Sequence, residues 1–359
     1  MEWAVSQRFN IPIEKIISFA STVSPVVPES IRDSSLFFDR LHLYPPNDYS
    51  QLKQEIIKYQ RVEHDVAVVV GCGSTELIHL FAQLMGRGEV IIPVPTYGEY
   101  EAAVNKIGGT PVFVKAQDDF ALNSAAIKRS ISKRTKAIMI CNPNNPTGRL
   151  FDRSDIDELV ELVDRTGLML LVDEAYSCFA SQNRRYSVGN LVRSHNLIVL
   201  NSISKLFGVP SLRLGWALAS GETAKIIEKA RIPWMVNNLA VWGGEKLLLD
   251  TNYQNEITSL IASQKKELVS ALQEKSWLSV FPSETNFLLV KILEPDITAT
   301  QLFQHLARKG IVIRDCTFMR GLGDHFFRIT IRTQAQNRML ISELDKMKVP
   351  SSPSIITNC

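Results

Sequence analysis

The chain has 359 residues, with 40 Lys plus Arg against 37 Asp plus Glu and a formal net charge of +3. That balance argues against the concentrated basic face of a nucleic-acid binder, and no stretch approaches the roughly 18 apolar residues of a membrane span. The cysteines at 72, 141, 178, 316 and 359 are scattered and never form Cys-x-x-Cys, so neither a disulfide framework nor a zinc knuckle is expected. The length corresponds to about two domains. The first ten residues lack the apolar core of a signal peptide, and the composition suits a soluble protein of the reducing cytoplasm.

Residues 1–40 are too short to stand alone and are expected to pack beside the C-terminal part. From 41 to 250 strands and helices alternate. Residues 66–70 form an apolar run ending in Gly71. Helical spacing follows over 75–85, with Leu77, Ile78, Phe81, Leu84 and Met85 apolar. Residues 90–94 read as a strand, 100–107 as a helix and 111–114 as a strand. A strand over 137–141 is stopped by a Pro-rich turn. An amphipathic helix over 154–165 is capped by Asp152 or Ser154. Strands 168–172 and 197–200 complete the set. Runs apolar on both faces and separated by helices predict an α/β domain with a mostly parallel sheet covered on two sides. From 251 the pattern changes. A long helix over 253–274 precedes strands 287–291, 311–314 and 326–331 and helices 299–309 and 336–347. This predicts a smaller α+β domain over 251–359, with 349–359 a loose tail.

In such sheets ligands bind beyond the carboxyl ends of the strands. Gly71-Cys72-Gly73-Ser74-Thr75 follows a strand and opens a helix, where free backbone N–H groups suit a phosphate. It is neither G-x-G-x-x-G nor a P-loop, and a plain helix cap is the alternative. Asn142-Pro143-Asn144-Asn145-Pro146-Thr147-Gly148 is a rigid turn that presents amides. Asp173-Glu174-Ala175-Tyr176 puts an acid at the end of a buried strand, costly unless a cation or a capping role answers it. Asn201-Ser202-Ile203-Ser204-Lys205 offers an amine suited to a Schiff base, and Arg213 suits a phosphate; an exposed loop with ordinary cations is the alternative.

Together, in this order, these pieces resemble the class I/II aminotransferases, fold type I enzymes that use pyridoxal phosphate. The match adds Pro95-Thr96-Tyr97 and spans most of the large domain. The resemblance implies catalytic roles for Lys205 (the Schiff-base amine and proton carrier), Asp173 (partner of the pyridinium nitrogen) and Tyr176. It implies that Asn145 and Tyr176 bond the phenolic oxygen and that Tyr97 stacks on the ring. The phosphate would be held by Gly73, Ser74, Thr75, Ser202, Ser204 and Arg213, with Tyr44 reaching in from a partner subunit. A homodimer with shared sites acting on a small amino acid substrate follows. Cys72 and Ser211 stand where relatives often carry Asn and Gly.

Within the family the chain most resembles the threonine-phosphate decarboxylases, with histidinol-phosphate aminotransferases next. The stretches 232–237, 209–215, 313–316 and 327–332 carry this. Arg314 and Arg328, fourteen residues apart, match two arginines that bind substrate anions, and Arg328 is assigned the α-carboxylate. The decarboxylases' His-Gly-Gly-Asn stretch is absent. Their Asn-x-Asn-Pro segment reads Thr22-Val23-Ser24-Pro25, so an altered distal-phosphate pocket is expected. Decarboxylation, transamination and chemistry at Cβ or Cγ all remain open. Arg332 reads as a surface charge. His325 reads as a surface histidine near the two arginines, and Trp234 as a pocket or interface residue. The six histidines have no metal-like spacing. Ser202-x-x-Lys205 is also the Ser-x-x-Lys of penicillin-binding enzymes, but its Ser-Asp-Asn and Lys-Thr-Gly partners are missing. Retention of Lys205 and Asp173 argues against a non-catalytic binding module.

Overall fold

Alternate residues of each long apolar run face opposite sides of one sheet, and both sides are buried. Val68 and Val70, Ile138 and Ile140, and Leu170 and Val172 enter one apolar cluster. Their neighbours Val69, Met139 and Leu171 enter another. A strand buried on both faces needs helices above and below, which is why the apolar runs of this chain alternate with amphipathic helices. A computed structural model describes residues 1–31, 42–63, 65–180, 187–192 and 196–347. His64, His195, Cys359 and the expected tail 349–359 lie outside the described residues.

In chain order the strands are β1 (Ile17–Ser18), β2 (Ala67–Gly71), β3 (Glu89–Val94), β4 (Thr110–Lys115), β5 (Thr135–Cys141), β6 (Met169–Asp173) and β7 (Leu197–Ser202). They continue with β8 (Gly215–Ala219), β9 (Leu278–Val280), β10 (Phe287–Ile292), β11 (Ile311–Val312), β12 (Arg314–Asp315) and β13 (Phe326–Thr330). Seven of them form one sheet in the order β2-β8-β7-β6-β5-β3-β4. Only β8 runs antiparallel to its neighbours. Two antiparallel steps restore direction, so β2 ends at the same edge as β3, β5, β6 and β7. All five sequence motifs therefore emerge on one edge.

A second sheet, antiparallel, has the order β12-β13-β10-β9. The run 311–314, read as one strand in the sequence, is divided between two sheets. Val312 pairs with Ser18 of β1, whereas Arg314 pairs with Arg328 of β13. The segment thus hands the chain from the N-terminal strand to the four-stranded sheet. The last two helices start where reciprocal capping fixes them. Thr298 with Gln301 opens Ala299–Ala307, and Thr333 with Gln336 opens Gln334–Asp345. The latter begins two residues earlier than its apolar periodicity alone indicates. At Arg153–Thr166 the N-cap is Asp152, although its side chain makes no capping bond.

The start of β8 meets the first turn of the helix that follows β2, backbone against backbone. A Cβ on Gly215 would lie 2.4 Å from the Ser74 nitrogen and 2.7 Å from the Gly73 carbonyl carbon. Neither atom belongs to a flexible side chain, so the start of the helix Gly73–Met85 would have to move. Gly215→Ala is expected to cost about 1–3 kcal/mol, the usual scale of overpacking. Urea denaturation of the cofactor-free protein measures it, and an unchanged midpoint would refute the account.

Candidate active site

The edge where the motifs emerge opens on a cavity of about 960 Å³. Thirteen of the fourteen predicted site residues line it: Gly73, Ser74, Thr75, Tyr97, Asn145, Asp173, Tyr176, Ser202, Ser204, Lys205, Arg213, Arg314 and Arg328. Tyr44 does not. It is 82% exposed and lies against Trp234, with ring centroids 5.2 Å apart. Trp234 itself is half exposed and outside the cavity lining.

The Asn-Pro turn sorts its three amides. Asn142 accepts from the Phe151 N–H at 2.9 Å. Asn144 accepts from Thr96 at 3.0 Å and donates to the Pro95 carbonyl and the Thr147 hydroxyl, both at 2.9 Å. Those two amides hold the turn itself. Asn145 is left to face the cavity, where its Oδ1 accepts from Arg328 Nη1.

Asp173 ends β6 and is buried. Its Oδ2 accepts from the Tyr100 hydroxyl at 2.9 Å and its Oδ1 from the Ala175 N–H at 3.1 Å. Burial pushes its carboxyl above the usual range, and the Ala175 N–H, the Tyr100 hydroxyl and the Lys205 charge oppose that. Lys205 follows β7 and keeps part of its side chain open to the cavity. Burial pulls its amine down to about 8; Arg328 and Arg213 act in the same direction and Asp173 against it. Its Nζ is 5.7 Å from the Tyr176 ring centroid. Burial also raises the Tyr176 and Tyr97 hydroxyls, so both remain neutral donors near neutral pH.

The remaining lining residues around Gly73 and Arg213 form a cradle. Gly73 has φ 76, and a Cβ there would meet Arg213 Nη2 at 2.5 Å. Glycine adopts this backbone without strain and leaves room for the guanidinium. Arg213 is itself left-handed at φ 57, with Nη1 donating to the Pro210 carbonyl at 3.1 Å. Ser202 and Ser204 bond each other at 2.9 Å. A helix N-terminus, two serines and an arginine converge on one spot, a donor set that suits a phosphate. With an amine and an acid farther in, the cavity fits pyridoxal phosphate.

Two lining or supporting residues, Tyr100 and Cys141, carried no signal strong enough to single them out, and Thr22, expected near a distal phosphate, has a partner that the sequence does not indicate. Tyr100 is fully buried; an aromatic in the first turn of the helix Glu99–Lys106, three residues after Tyr97, is the hint that could have found it. Cys141 lines the cavity with its thiol pushed up by burial. Thr22 bonds Tyr176 across 154 positions of sequence. His325 lies outside the lining, with Nδ1 3.0 Å from the Ile297 carbonyl. Arg332, read as a surface charge, is half-buried instead, with Nη1 donating to the Val23 carbonyl at 3.4 Å. The strand ends at Thr330, so strand alternation does not govern its direction. Among the described residues no cluster could hold a metal ion, and no helix is long and apolar enough to cross a membrane.

The fold and cavity define the class: this is a fold type I α/β enzyme that uses pyridoxal phosphate. Within that class, the chain belongs to the family described as aminotransferase class I and II, whose family model matches residues 18–344. A histidinol-phosphate aminotransferase from Methanosarcina mazei is 32% identical over 352 residues, covering 96% of this chain and 92% of the relative. The crystal structure of a histidinol-phosphate aminotransferase from Clostridium acetobutylicum is 27% identical. It superposes with a TM-score of 0.85, covering 92% of this chain and 98% of that one. That of an L-threonine-O-3-phosphate decarboxylase from Porphyromonas gingivalis is 25% identical with a TM-score of 0.80, at the same coverages of 92% and 98%. The family contains both reactions.

The lowered Lys205 amine has a thermodynamic signature. The folded protein releases this proton near pH 8, the unfolded chain near 10.5. Between those values the unfolded state holds more protons, so stability from this group rises with pH. Lys205→Met is expected to stabilise the cofactor-free protein at neutral pH, with the advantage shrinking between pH 8 and 10.5. Unfolding free energies of both proteins across that window test this; a pH-independent difference would contradict it.

Proposed function

We propose that the protein is an aminotransferase acting at Cα of an amino acid whose carboxylate binds Arg328. The observation that carries this reading is the state of that arginine. Arg328 is 6% exposed, and its Nε is buried with no partner. Its other nitrogens donate to neutral groups, Asn145 Oδ1 and, at 2.8 Å, the Ala20 carbonyl. Among the described residues no carboxylate forms an ion pair with it. A buried cation facing a cavity without an anion is costly until a ligand supplies one.

Charge then selects the reaction. Losing CO2 turns a carboxylate into a neutral molecule. A buried arginine binds the charged ground state more tightly than the departing CO2, and so opposes decarboxylation. The Cα proton is free of that restraint. Lys205, with its amine near neutrality, takes and returns it. Pyridoxal phosphate, when bound, supplies the electron sink for charge at Cα. Asp173 would hold a negative charge against its ring nitrogen, Asn145 and Tyr176 would donate to its phenolic oxygen, and Tyr97 would cover its ring. Gly73, Ser74, Thr75, Ser202, Ser204 and Arg213 would hold its phosphate. Arg314, directly opposite Arg328 on the neighbouring strand, meets a second anion at the far end of the substrate.

The resemblance to threonine-phosphate decarboxylases over 209–215 and 313–316 favours the second reading, decarboxylation. Products separate the two. Incubation of the holoenzyme with amino acids and 2-oxoglutarate is expected to yield glutamate and a keto acid by mass spectrometry. CO2 without a keto acid would establish decarboxylation, and neither product would point to Cβ or Cγ. Arg328→Gln is expected to lower kcat/KM at least about 30-fold, because removing one partner of a buried charge pair costs about 2 kcal/mol or more.

We further infer a homodimer with shared sites. Leu43, Tyr44, Ile232, Trp234 and Met235 are all exposed, Trp234 with φ 59. A cluster of large apolar side chains on the surface marks a contact. Light scattering is expected to give twice the mass of one chain. Trp234→Glu is expected to shift it toward a single chain with weaker cofactor retention; an unchanged mass would remove Trp234 from the contact.

A further inference from the structure

The segment between β1 and Val26 runs between the two larger sheets and is fixed at almost every residue. The Phe19 N–H donates to the Val312 carbonyl at 2.7 Å, and its own carbonyl accepts from the Thr330 N–H at 2.8 Å. The Ala20 carbonyl receives Arg328. The Ser24 N–H and hydroxyl both donate to the Lys205 carbonyl at 3.0 Å. Tyr253 donates to the Val26 carbonyl at 2.8 Å. A Cβ on Gly208 would approach the Ser24 and Val26 carbonyls to 3.0 and 2.9 Å, so the lysine loop is packed tightly against the segment.

Thr22 is the point where this segment meets a proposed catalytic side chain. It is buried, and its carbonyl accepts from Asn286 Nδ2 at 3.2 Å, so its backbone is placed independently of its hydroxyl. The hydroxyl is 2.8 Å from the Tyr176 hydroxyl, and Tyr176 is buried as well. Of two bonded hydroxyls one donates and the other accepts. A phenol has one proton. If Tyr176 gave it to Thr22, nothing would be left to donate into the cavity.

We propose that Thr22 is a positioning residue: its hydroxyl donates to the Tyr176 oxygen and thereby aims the single phenolic proton of Tyr176 into the cavity, toward the bound cofactor. This rests on the reading of Lys205 and Tyr176 as cofactor-binding residues. A phenol that accepts one hydrogen bond becomes a stronger donor in the next. A donor aimed at an oxygen favours the protonation state in which that oxygen carries more charge, here the state reached by losing a proton. Thr22 therefore lowers the pH at which the Lys205-bound cofactor gives up its proton. The other groups facing Tyr176 are Arg328, Cys141, Asp173 and Lys205, and they are common to every variant below.

The test is the pH midpoint of the visible absorbance change of the holoenzyme. Thr22→Val and Thr22→Ala, which both remove the hydroxyl, are expected to raise it by about half a unit or more, the scale of one lost hydrogen bond. Thr22→Ser keeps the hydroxyl and is expected to stay near the parent. On a Tyr176→Phe background the Thr22→Val substitution is expected to add nothing. Folded Val and Ala variants with the parent midpoint would overturn the inference, as would a shift that persists without the Tyr176 hydroxyl. A parent protein that takes up no cofactor would overturn the reading of Lys205 itself, and the inference with it.

Discussion

The hydrogen bond from Arg328 to Asn145 is the constraint on which the rest of the site depends. It joins the four-stranded sheet to a turn of the seven-stranded sheet. Burying a guanidinium is expensive unless its hydrogens are taken up and an opposite charge is near. Here two are taken up, by Asn145 and by the Ala20 carbonyl, and the Phe287 ring covers its face with the guanidinium carbon 5.0 Å from the centroid. The protein thereby fixes the direction of the group without neutralising its charge. In the proposed reading a ligand anion would complete it, at the same point where the two sheets are joined.

That arrangement explains why the N-terminal segment is needed. The sheets alone leave Arg328 and Lys205 on separate frameworks, one on β13 and one after β7. Backbone carbonyl groups and N–H groups of residues 19–24 contact both. Backbone groups serve here because their positions change little with side-chain identity, whereas Thr22 and Ser24 add hydroxyls, one to the Tyr176 side chain and one to the Lys205 carbonyl. The division of 311–315 between two sheets follows from the same geometry: one stretch must hold β1 and still deliver Arg314 beside Arg328.

Most of the large sheet was legible because most of its strands are apolar on both faces, and Val68–Val70 or Leu170–Val172 announce that without any contact information, whereas Gly215–Ala219, opening on glycine, did not stand out. The cofactor motifs were legible because each occupies the end of such a strand, where chain order fixes position. What was not legible depends on pairs distant in sequence. Tyr100 is an unremarked helix residue until Asp173 is placed 73 positions away. Arg332 looks exposed until Val23 is brought beside it from 309 positions away. The Asn-Pro turn gave three equivalent amides, and only the hydrogen bonds to Phe151, Pro95 and Thr147 separate the two that build the turn from Asn145.

The same limit applies to the reaction. Motifs record where the cofactor's chemistry is held, and related chains with that chemistry carry names of both transaminases and a decarboxylase. The proposed reading separates the outcomes by how the protein would hold the charges of the substrate. In this chain Arg314 and Arg328 are directly opposed on neighbouring strands, a placement that repels unless anions intervene. Asp315, next to Arg314, is already engaged by the Thr300 and Thr317 hydroxyls and by the Thr317 N–H. In the proposed reading, two cations that share one wall call for two negative charges on the ligand, and the buried Arg328 would take the α-carboxylate.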